Sequence, residues 1–546
     1  MAHFTHYNCG REEQSVFVTP KIKLQDKNIL KLSWILCFFF FLTPDIEAKP
    51  LNGPPKAKIK QVVMQALKRF KTPGMAVGIV HKGKVVHLAG YGRRDIATRD
   101  KVDADTLFSI ASTTKAFTTA ALAILVDEGK LGWDDPVTRH LPDFQMADPW
   151  VTREFTVRDL LTHRSGLGPG AGDLMLWPEP SGFSREEIIH NLRYLEPVTS
   201  FRSEYAYDNL LYIVAGEVVA AASGVSWEKF VQNRILDPLK MACYSGAIPQ
   251  EQLRNIATPY GFLDGKIVAI PRNAINGAVK PSAAAGGMVC NVRGMTRWML
   301  TQLQGGVGPD GRRVFSEQQR DEMWRSHTIL PLSDSERERD NTHFKAYALG
   351  WRKADVRGYE VISHTGTLSG MQAYLTLVPD LELGVIILNN GSNYGARSAV
   401  MQDIVKSYMG APARDWVEEY DQAQQKARAL EAKKALPVSG SGDMALPLKS
   451  YAGTYRDRWF GQIEVRETGN GLRFRSIKSV QLQGVLEPFE GNTFIVRWNN
   501  RRMEADAFVT FAPDAKGNIE TVTLLPVSEE TDFSFDFQDL FFIREK

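Results

Sequence analysis

The chain has 546 residues, of which 43% are hydrophobic and 24% charged, and its formal net charge at pH 7 is +3. This length exceeds one compact domain, so two or three domains are expected, and the composition is that of a globular protein with a sizeable core. The small net charge argues against nucleic acid as a partner. Zinc-ligand spacing and a Walker-type phosphate loop do not occur, so no metal and no cofactor are expected. A GxSxG nucleophile elbow is also absent.

Residues 1–48 show the pattern of an N-terminal extension followed by a signal peptide. Four lysines between positions 21 and 31 precede an apolar stretch at residues 32–42. That stretch is long enough for a signal-peptide core but short of the roughly twenty residues that span a membrane. We therefore expect export to the periplasm or the medium, with cleavage near Ala48. An uncleaved membrane anchor and a buried helix are the alternatives.

Residues 49–412 predict one domain that contains both strands and helices. Helices are predicted at about 58–70, 112–129, 210–222, 293–303 and 397–408, and strands at about 75–80, 85–89, 360–364, 373–378 and 384–388. Strands at both ends with helices between them suggest one mixed sheet that is closed by its N- and C-terminal segments.

A second domain is predicted after a charged helix and linker at residues 413–446. Over residues 447–546, short runs alternate apolar and polar residues, as in Gly461–Glu467, and turn signals such as Gly469-Asn470-Gly471 separate them. Short strands at this spacing indicate an antiparallel barrel or sandwich.

The four cysteines are Cys9, Cys37, Cys243 and Cys290. Export with cleavage would remove the first two. The other two could form one disulfide in an oxidising compartment, but no dense framework of cysteines exists. Separate buried thiols are the favoured state.

Ser112-Thr113-Thr114-Lys115 opens an apolar helix. A serine and a lysine three residues apart lie on one helix face, so the amine can take a proton from the hydroxyl. Burial disfavours the ammonium form, so Lys115 could act as a base near neutral pH. Ser226-Trp227-Glu228-Lys229 has the same spacing, but Ser226 is better explained as a helix N-cap.

Two further motifs provide partners for Ser112. Tyr207-Asp208-Asn209 supplies a phenol, whose pKa a lysine ammonium would lower, and an amide that could hold Lys115 and a substrate amide. The alternative is a core tyrosine at a helix start.

The third motif, Ser363-His364-Thr365-Gly366-Thr367, lies at a strand end. Gly366 would let a substrate backbone approach the strand edge, and the N–H groups of Ser112 and Thr367 could form an oxyanion hole. The alternative is an ordinary strand end with a satisfied histidine.

As an ordered set, the three motifs resemble the serine beta-lactamase and penicillin-binding-protein superfamily, in its class C-like branch of D-aminopeptidases, DD-peptidases and esterases. The resemblance covers about residues 58–409 and implies an α/β (α+β) fold, with an antiparallel sheet flanked by helices. Residues 447–546 are similar to the lipocalin-like barrel of some members. The catalytic residues implied are Ser112, Lys115 and Tyr207, and the substrate-binding residues are Asn209, His364, Thr365, Gly366 and Thr367.

The expected activity is acyl transfer through a Ser112 ester to water, with a small-molecule or peptide substrate. His364 departs from the lysine of typical beta-lactamases, and a mostly neutral histidine attracts a substrate carboxylate less well. This favours peptide amides with an amino-terminal D-residue, other amides or esters over penicillins. A true beta-lactamase and a low-turnover cell-envelope binding protein remain the alternatives, and the sequence does not predict the oligomeric state.

Overall fold

The first and last strands of the N-terminal domain lie side by side in one sheet. The computed structural model describes residues 53–271, 280–368, 370–434, 440–469 and 471–546. The predicted extension and signal peptide, residues 1–48, lie outside the described residues.

The strands of the described residues are numbered in chain order. They are β1 (Gly74–His81), β2 (Lys84–Gly92), β3 (Phe108–Ser109), β4 (Cys243–Tyr244), β5 (Tyr260–Leu263), β6 (Lys266–Ala269), β7 (Val289–Cys290), β8 (Thr328–Ile329), β9 (Lys345–Tyr347), β10 (Arg352–Val356), β11 (Tyr359–Leu368), β12 (Met371–Val378), β13 (Leu383–Asn389), β14 (Gly453–Asp457), β15 (Gly461–Thr468), β16 (Gly471–Ser476), β17 (Gln483–Glu490), β18 (Thr493–Trp498), β19 (Ala507–Pro513), β20 (Ile519–Pro526) and β21 (Phe541–Arg544).

The α-helices are numbered in the same way. They are α1 (Lys56–Arg69), α2 (Lys115–Asp127), α3 (Val137–His140), α4 (Pro149–Glu154), α5 (Arg185–Asn191), α6 (Leu210–Ser223), α7 (Trp227–Val231), α8 (Ala283–Gly286), α9 (Val292–Leu303), α10 (Glu317–Met323), α11 (Asp334–Asp340), α12 (Tyr394–Tyr408), α13 (Trp416–Lys434) and α14 (Leu448–Tyr451). In the described part of the chain, no single helix is long and apolar enough to cross a membrane; α6 and the helical segment Trp227–Leu236 pass that test only as a bent pair.

The main sheet of the described residues has eight strands in the order β2-β1-β13-β12-β11-β10-β9-β8. Its first strands pair with its last, since Met75 lies opposite Asn389 and His81 opposite Leu383. The closure of the sheet by the two ends of the domain is therefore confirmed. The expectation of a mixed sheet from the order of elements is wrong, because every pair of neighbouring strands is antiparallel.

Helices cover both faces of this sheet. Alternate residues of β1 point to opposite sides: Met75, Val77 and Ile79 belong to the cluster that contains α1 and α12, whereas Ala76 and Val80 belong to the larger core around α2, α6 and α9. A strand buried on both faces is a continuous apolar run, as in β1 and β13. The predicted antiparallel sheet flanked by helices is confirmed.

Cys243 and Cys290 form a disulfide, so the expectation of separate thiols is wrong. The two residues lie directly opposite each other on β4 and β7, in a small sheet completed by β3. They lie 47 positions apart in the chain, and the pairing of these two-residue strands brings them together.

The C-terminal strands β14 to β21 form a closed antiparallel barrel in the described chain, in which β14 pairs with β21. Alternate side chains fill its interior, for example Ile463 and Val465 on β15 and Leu472 and Phe474 on β16. This confirms the predicted C-terminal antiparallel β-barrel.

The barrel and the sheet-and-helix domain share one hydrophobic core. Phe460 of the barrel contacts Phe183, with 6.1 Å between the ring centroids, and both rings belong to the cluster that contains α2 and α6. Polar contacts surround this junction: the Asn191 amide donates to the Trp459 carbonyl at 2.8 Å, and the Gly182 N–H donates to the Lys478 carbonyl at 3.1 Å. The two domains are therefore packed as one body.

Phe460→Ala should lower the free energy of unfolding by about 3–5 kcal/mol, because it removes a fully buried ring and leaves a cavity between the domains. Urea unfolding followed by tryptophan fluorescence measures the change. Phe541→Ala is the matched control, since Phe541 lies on the barrel's outer surface and is 53% exposed. Equal destabilisation by both substitutions would contradict the shared core.

Candidate active site

Ser112 lies on a 3-10 turn, Ala111–Thr114, that leads directly into α2. In a 3-10 turn, residues i and i+3 are stacked above one another, so Ser112 and Lys115 share a face. The Lys115 Nζ lies 3.4 Å from the Ser112 Oγ. Ala111 has a φ of 45°, a left-handed conformation that costs energy in a residue other than glycine. The serine therefore stands at a strained corner beside the lysine.

Lys115 is fully enclosed, with 0% of its surface exposed. Its helix α2 is apolar on every side, and nearly all of its residues are buried. Its Nζ donates to the Asn209 Oδ1 at 2.7 Å and to the Ala285 carbonyl at 3.0 Å, so uncharged acceptors hold it. Burial lowers the pKa of Lys115 to about 7, as the sequence predicts, and the charge of Arg352 acts in the same direction.

Tyr207 lies next to Lys115, at the end of the loop that enters α6. The Lys115 Nζ is 4.8 Å from the centroid of the Tyr207 ring. Burial raises the pKa of Tyr207 well above its usual value, although its contact with the Ser112 side chain offsets part of this effect. The predicted lowering of the Tyr207 pKa by a lysine ammonium is therefore wrong, because desolvation outweighs the neighbouring charge.

Two buried carboxyl groups, which the motifs did not single out as functional, stand behind Lys115. Asp173 accepts a hydrogen bond from the Asn209 amide at 2.8 Å, and Asp208 accepts from the Leu211 N–H at 3.1 Å. Burial raises the pKa of Asp208 to about 7 and that of Asp173 well above its usual value. Both act to raise the pKa of Lys115, so they oppose its desolvation. Asp208 lies within the Tyr207–Asn209 motif, whereas Asp173 belongs to none of the motifs in the sequence.

The motif on β11 lies where that strand has one free edge. β12 pairs with residues 362–368 of β11, whereas β10 pairs only with residues 359–363. The remaining segment, which contains Thr365, Gly366 and Thr367, faces the serine turn instead. A Cβ built on Gly366 would meet the Ile110 carbonyl and lie 3.0 Å from the Ser112 N. Gly366 thus allows the strand to approach the serine turn, whereas the sequence suggested an approach by the substrate.

His364 is buried and acts within the protein rather than at the surface of the cleft. Its Nδ1 lies 2.6 Å from the Thr365 carbonyl, which can only accept, so this nitrogen carries the proton. Its Nε2 lies 2.9 Å from the Tyr347 hydroxyl, which then donates to it. Burial lowers the pKa of His364 well below its usual value, so the expected neutral histidine is present.

Arg352, at the start of β10, brings a positive charge to the same site. Its Nη1 donates to the Thr365 Oγ1 at 3.2 Å. Burial acts to lower the pKa of Arg352, but the nearby hydroxyls of Tyr205, Tyr347 and Tyr207 raise it on balance. None of these neighbours is a carboxylate. Arg352 belongs to none of the three motifs, so the sequence did not predict it as a site residue.

The second Ser-x-x-Lys match is structural. The Ser226 side chain accepts from the Lys229 N–H at the start of α7, which is the geometry of a helix N-cap. Among the described residues, no group of three or more His, Cys, Asp or Glu side chains could hold a metal ion.

Each of the two domains matches a known family of protein domains. A family model described as Beta-lactamase matches residues 59–407, and a domain of unknown function, DUF3471, matches residues 441–544. The chain is 27% identical over 459 residues to the unguisins hydrolase ungD of Aspergillus violaceofuscus, covering 77% of this chain and 78% of that protein. It is 26% identical over 351 residues to protein flp of Staphylococcus aureus, covering 62% of this chain and 64% of that one.

A solved structure is similar in fold. The octameric penicillin-binding protein homologue of Pyrococcus abyssi superposes with a TM-score of 0.57, covers 89% of this chain and 99% of its own, and is 22% identical. The superposed part of this chain is longer than residues 59–407, which the Beta-lactamase family model matches.

Gly366→Ala should lower the free energy of unfolding by about 1–3 kcal/mol, because the added methyl group would overlap the Ile110 carbonyl and push β11 away from Ser112. Urea unfolding would measure the loss, and far-ultraviolet circular dichroism would check folding. Gly246→Ala is the matched control, since a Cβ there meets Glu228 side-chain atoms at an ordinary 3.7 Å. A Gly366→Ala protein as stable as the unchanged chain would show that close packing at this glycine is dispensable.

Proposed function

Since this chain belongs to the beta-lactamase family, we propose that it is a serine hydrolase that forms an acyl-enzyme on Ser112. The observation that supports this best is the burial of Lys115 within hydrogen-bonding reach of the Ser112 hydroxyl. A neutral amine beside a hydroxyl is what activates a serine for attack on a carbonyl.

Lys115 is the general base in this proposal. With a pKa of about 7, a large share of Lys115 is neutral at physiological pH and can accept the Ser112 proton. The 3.4 Å separation is long for a hydrogen bond, as is common before a substrate is bound. The rate of hydrolysis should therefore rise with pH near neutrality, as Lys115 loses its proton.

Tyr207 is the general acid rather than a second base. Its raised pKa keeps the phenol protonated, so it can donate a proton to the leaving group. Asn209 holds the Lys115 amine through its Oδ1, whereas the Tyr207 side chain contacts Ser112. When water attacks the ester, both proton transfers run in reverse: Tyr207 takes a proton from the water, and Lys115 returns a proton to the Ser112 oxygen.

The backbone N–H groups of Ser112 and Thr367 are proposed to stabilise the oxyanion. The free edge of β11 beside the serine turn supports this, because N–H groups on such an edge are not used within the sheet. Thr367 is exposed, consistent with a position where substrate enters.

For the substrate, we propose peptide amides or esters, with D-aminopeptidase, DD-peptidase and esterase activities as the finer possibilities. The two relatives named unguisins hydrolases support hydrolysis as the reaction class. We also propose export, which the disulfide supports because such bonds persist in oxidising compartments.

Ser112→Ala should remove the covalent adduct and lower turnover by about 10³-fold or more. Intact-protein mass after brief exposure to a p-nitrophenyl ester, a D-alanyl anilide and a penicillin would measure adduct formation. Ser226→Ala, at the N-cap of α7, should keep the adduct. An adduct of equal yield in Ser112→Ala would overturn the assignment, and an adduct with penicillin alone would favour a beta-lactamase or a penicillin-binding role.

Arg352 favours a second candidate, hydrolysis of substrates with a carboxylate near the scissile bond. The Arg352 guanidinium donates a hydrogen bond to Thr365, and the side chains that raise its pKa are tyrosines rather than carboxylates. It can therefore bind an anionic group of a substrate. This charge compensates for the neutral His364.

Arg352→Gln should raise the KM for an acyl-D-Ala-D-Ala peptide about 30-fold, whereas the KM for the same peptide with an amidated terminus stays unchanged. Steady-state kinetics on both peptides would measure this. Lys353→Gln removes a charge from the same strand, where Lys353 pairs with Glu360 at 2.8 Å, and should change neither value. Equal losses on both peptides would contradict a carboxylate contact.

A further inference from the structure

The loop between β20 and β21 leaves the barrel and reaches the active site. Phe533 packs edge-on against Tyr207, with 5.9 Å between the ring centroids, and 47% of its side chain remains exposed. Gly170 lies directly beneath it: a Cβ there would lie 2.8 Å from the Phe533 ring, and the Gly170 N–H donates to the Tyr207 carbonyl at 2.8 Å. The barrel therefore contacts the segment that holds Tyr207.

The next residue of the loop joins a chain of hydrogen bonds that ends at the catalytic lysine. The Ser534 Oγ donates to the Asp173 Oδ2 at 2.9 Å, and the Asn209 Nδ2 donates to the same oxygen at 2.8 Å. The Asn209 Oδ1 in turn accepts from the Lys115 Nζ at 2.7 Å. The orientation of the Asn209 amide is thereby set from both ends. Three side-chain hydrogen bonds thus separate the barrel from Lys115.

Asp536 fixes the backbone on either side of Asp173. Its two carboxyl oxygens accept from the N–H of Gly172 at 2.6 Å and from the N–H of Leu174 at 3.0 Å. These contacts hold the short turn Asp173–Met175 from the barrel side. Asp536 is wholly buried, and its carboxyl group can be accommodated there because backbone donors surround it.

We propose that Ser534 and Asp536 of the barrel are positioning residues of the active site, which hold Asp173 so that Asn209 and Lys115 are correctly placed and charged. The proposal rests on the proposed function, because it assigns these residues to the lysine that activates Ser112. The barrel then completes the active site, and an isolated sheet-and-helix domain would lack the outer end of this hydrogen-bond chain.

The charge consequence has a definite sign. The Ser534 hydroxyl favours the carboxylate form of Asp173, and that negative charge acts to raise the pKa of Lys115. Without the hydroxyl, Asp173 holds a proton more strongly, so the pKa of Lys115 falls. The charged and titratable groups around the two residues are Asp208, Asp536, Arg352, His163, His364, Tyr207 and Tyr212.

The test compares Ser534→Ala with Ser479→Ala in the full chain. Ser479 is also a barrel serine bonded to the same turn, but its Oγ donates to the Leu174 carbonyl at 3.0 Å and does not contact Asp173. Ser534→Ala should lower kcat for a p-nitrophenyl ester about tenfold with little change in KM. It should also move the acidic limb of the pH profile of kcat/KM to lower pH by about one unit. Ser479→Ala should change neither quantity.

A second measurement does not depend on turnover. In protein labelled with ¹³C at lysine Cε, the NMR signal that titrates near pH 7 is assigned to Lys115 by its loss in Lys115→Met. Its midpoint should fall in Ser534→Ala and stay in place in Ser479→Ala. Ser534→Thr, which keeps the hydroxyl, should restore both the midpoint and kcat.

The outcomes separate the two proposals. An unshifted Lys115 titration and pH limb in a folded Ser534→Ala protein would overturn the positioning role. So would equal effects of Ser479→Ala, since these would indicate a general loss of contact between the domains. An enzyme without Ser112-dependent turnover but with the expected shift of the Lys115 titration would contradict the proposed function and leave the positioning role intact.

Discussion

The enclosure of one lysine is the constraint on which the rest of this site depends. Lys115 is held in an apolar helix that is buried on all sides, and an ammonium there loses its hydration without gaining a direct ion pair. Uncharged acceptors satisfy its hydrogen bonds, while the nearby Asp173 and Asp208 act to raise its pKa. This arrangement gives Lys115 a pKa of about 7, so that its charged and neutral forms are both present at neutral pH. A direct carboxylate partner would instead fix it in the charged form.

The same burial explains how distant parts of the chain are coupled. Asn209 opens α6, Asp173 lies on a separate turn and Ser534 belongs to the barrel, yet they form one continuous set of hydrogen bonds. In a low-dielectric interior, each of these bonds affects its neighbours more than it would in water. The shared hydrophobic core, in which Phe460 packs against Phe183, holds the two domains against each other and so supports this set of hydrogen bonds.

Much of the fold and the centre of the site could be predicted from the sequence. Alternating residues predicted the barrel strands, and Ser112, Lys115, Tyr207 and Asn209 do lie together. The remaining features depend on contacts between distant segments, which leave no local pattern. Cys243 meets Cys290 only through two-residue strands, and Asp173 reaches Asn209 only through a short turn. The direction of the Tyr207 pKa shift required the extent of burial, which periodicity does not reveal.

The position of positive charge shows why one motif residue is an incomplete guide to substrate. In sequence, a histidine at position 364 suggests that the cation of typical beta-lactamases is missing. In the structure, His364 is neutral, and both of its ring nitrogens form hydrogen bonds within the protein, one with the Tyr347 hydroxyl and one with the Thr365 carbonyl. Arg352 on the adjacent strand bonds to Thr365 and brings a guanidinium to the same part of the cleft. A positive charge therefore lies on the strand next to position 364, carried by a residue outside the motif.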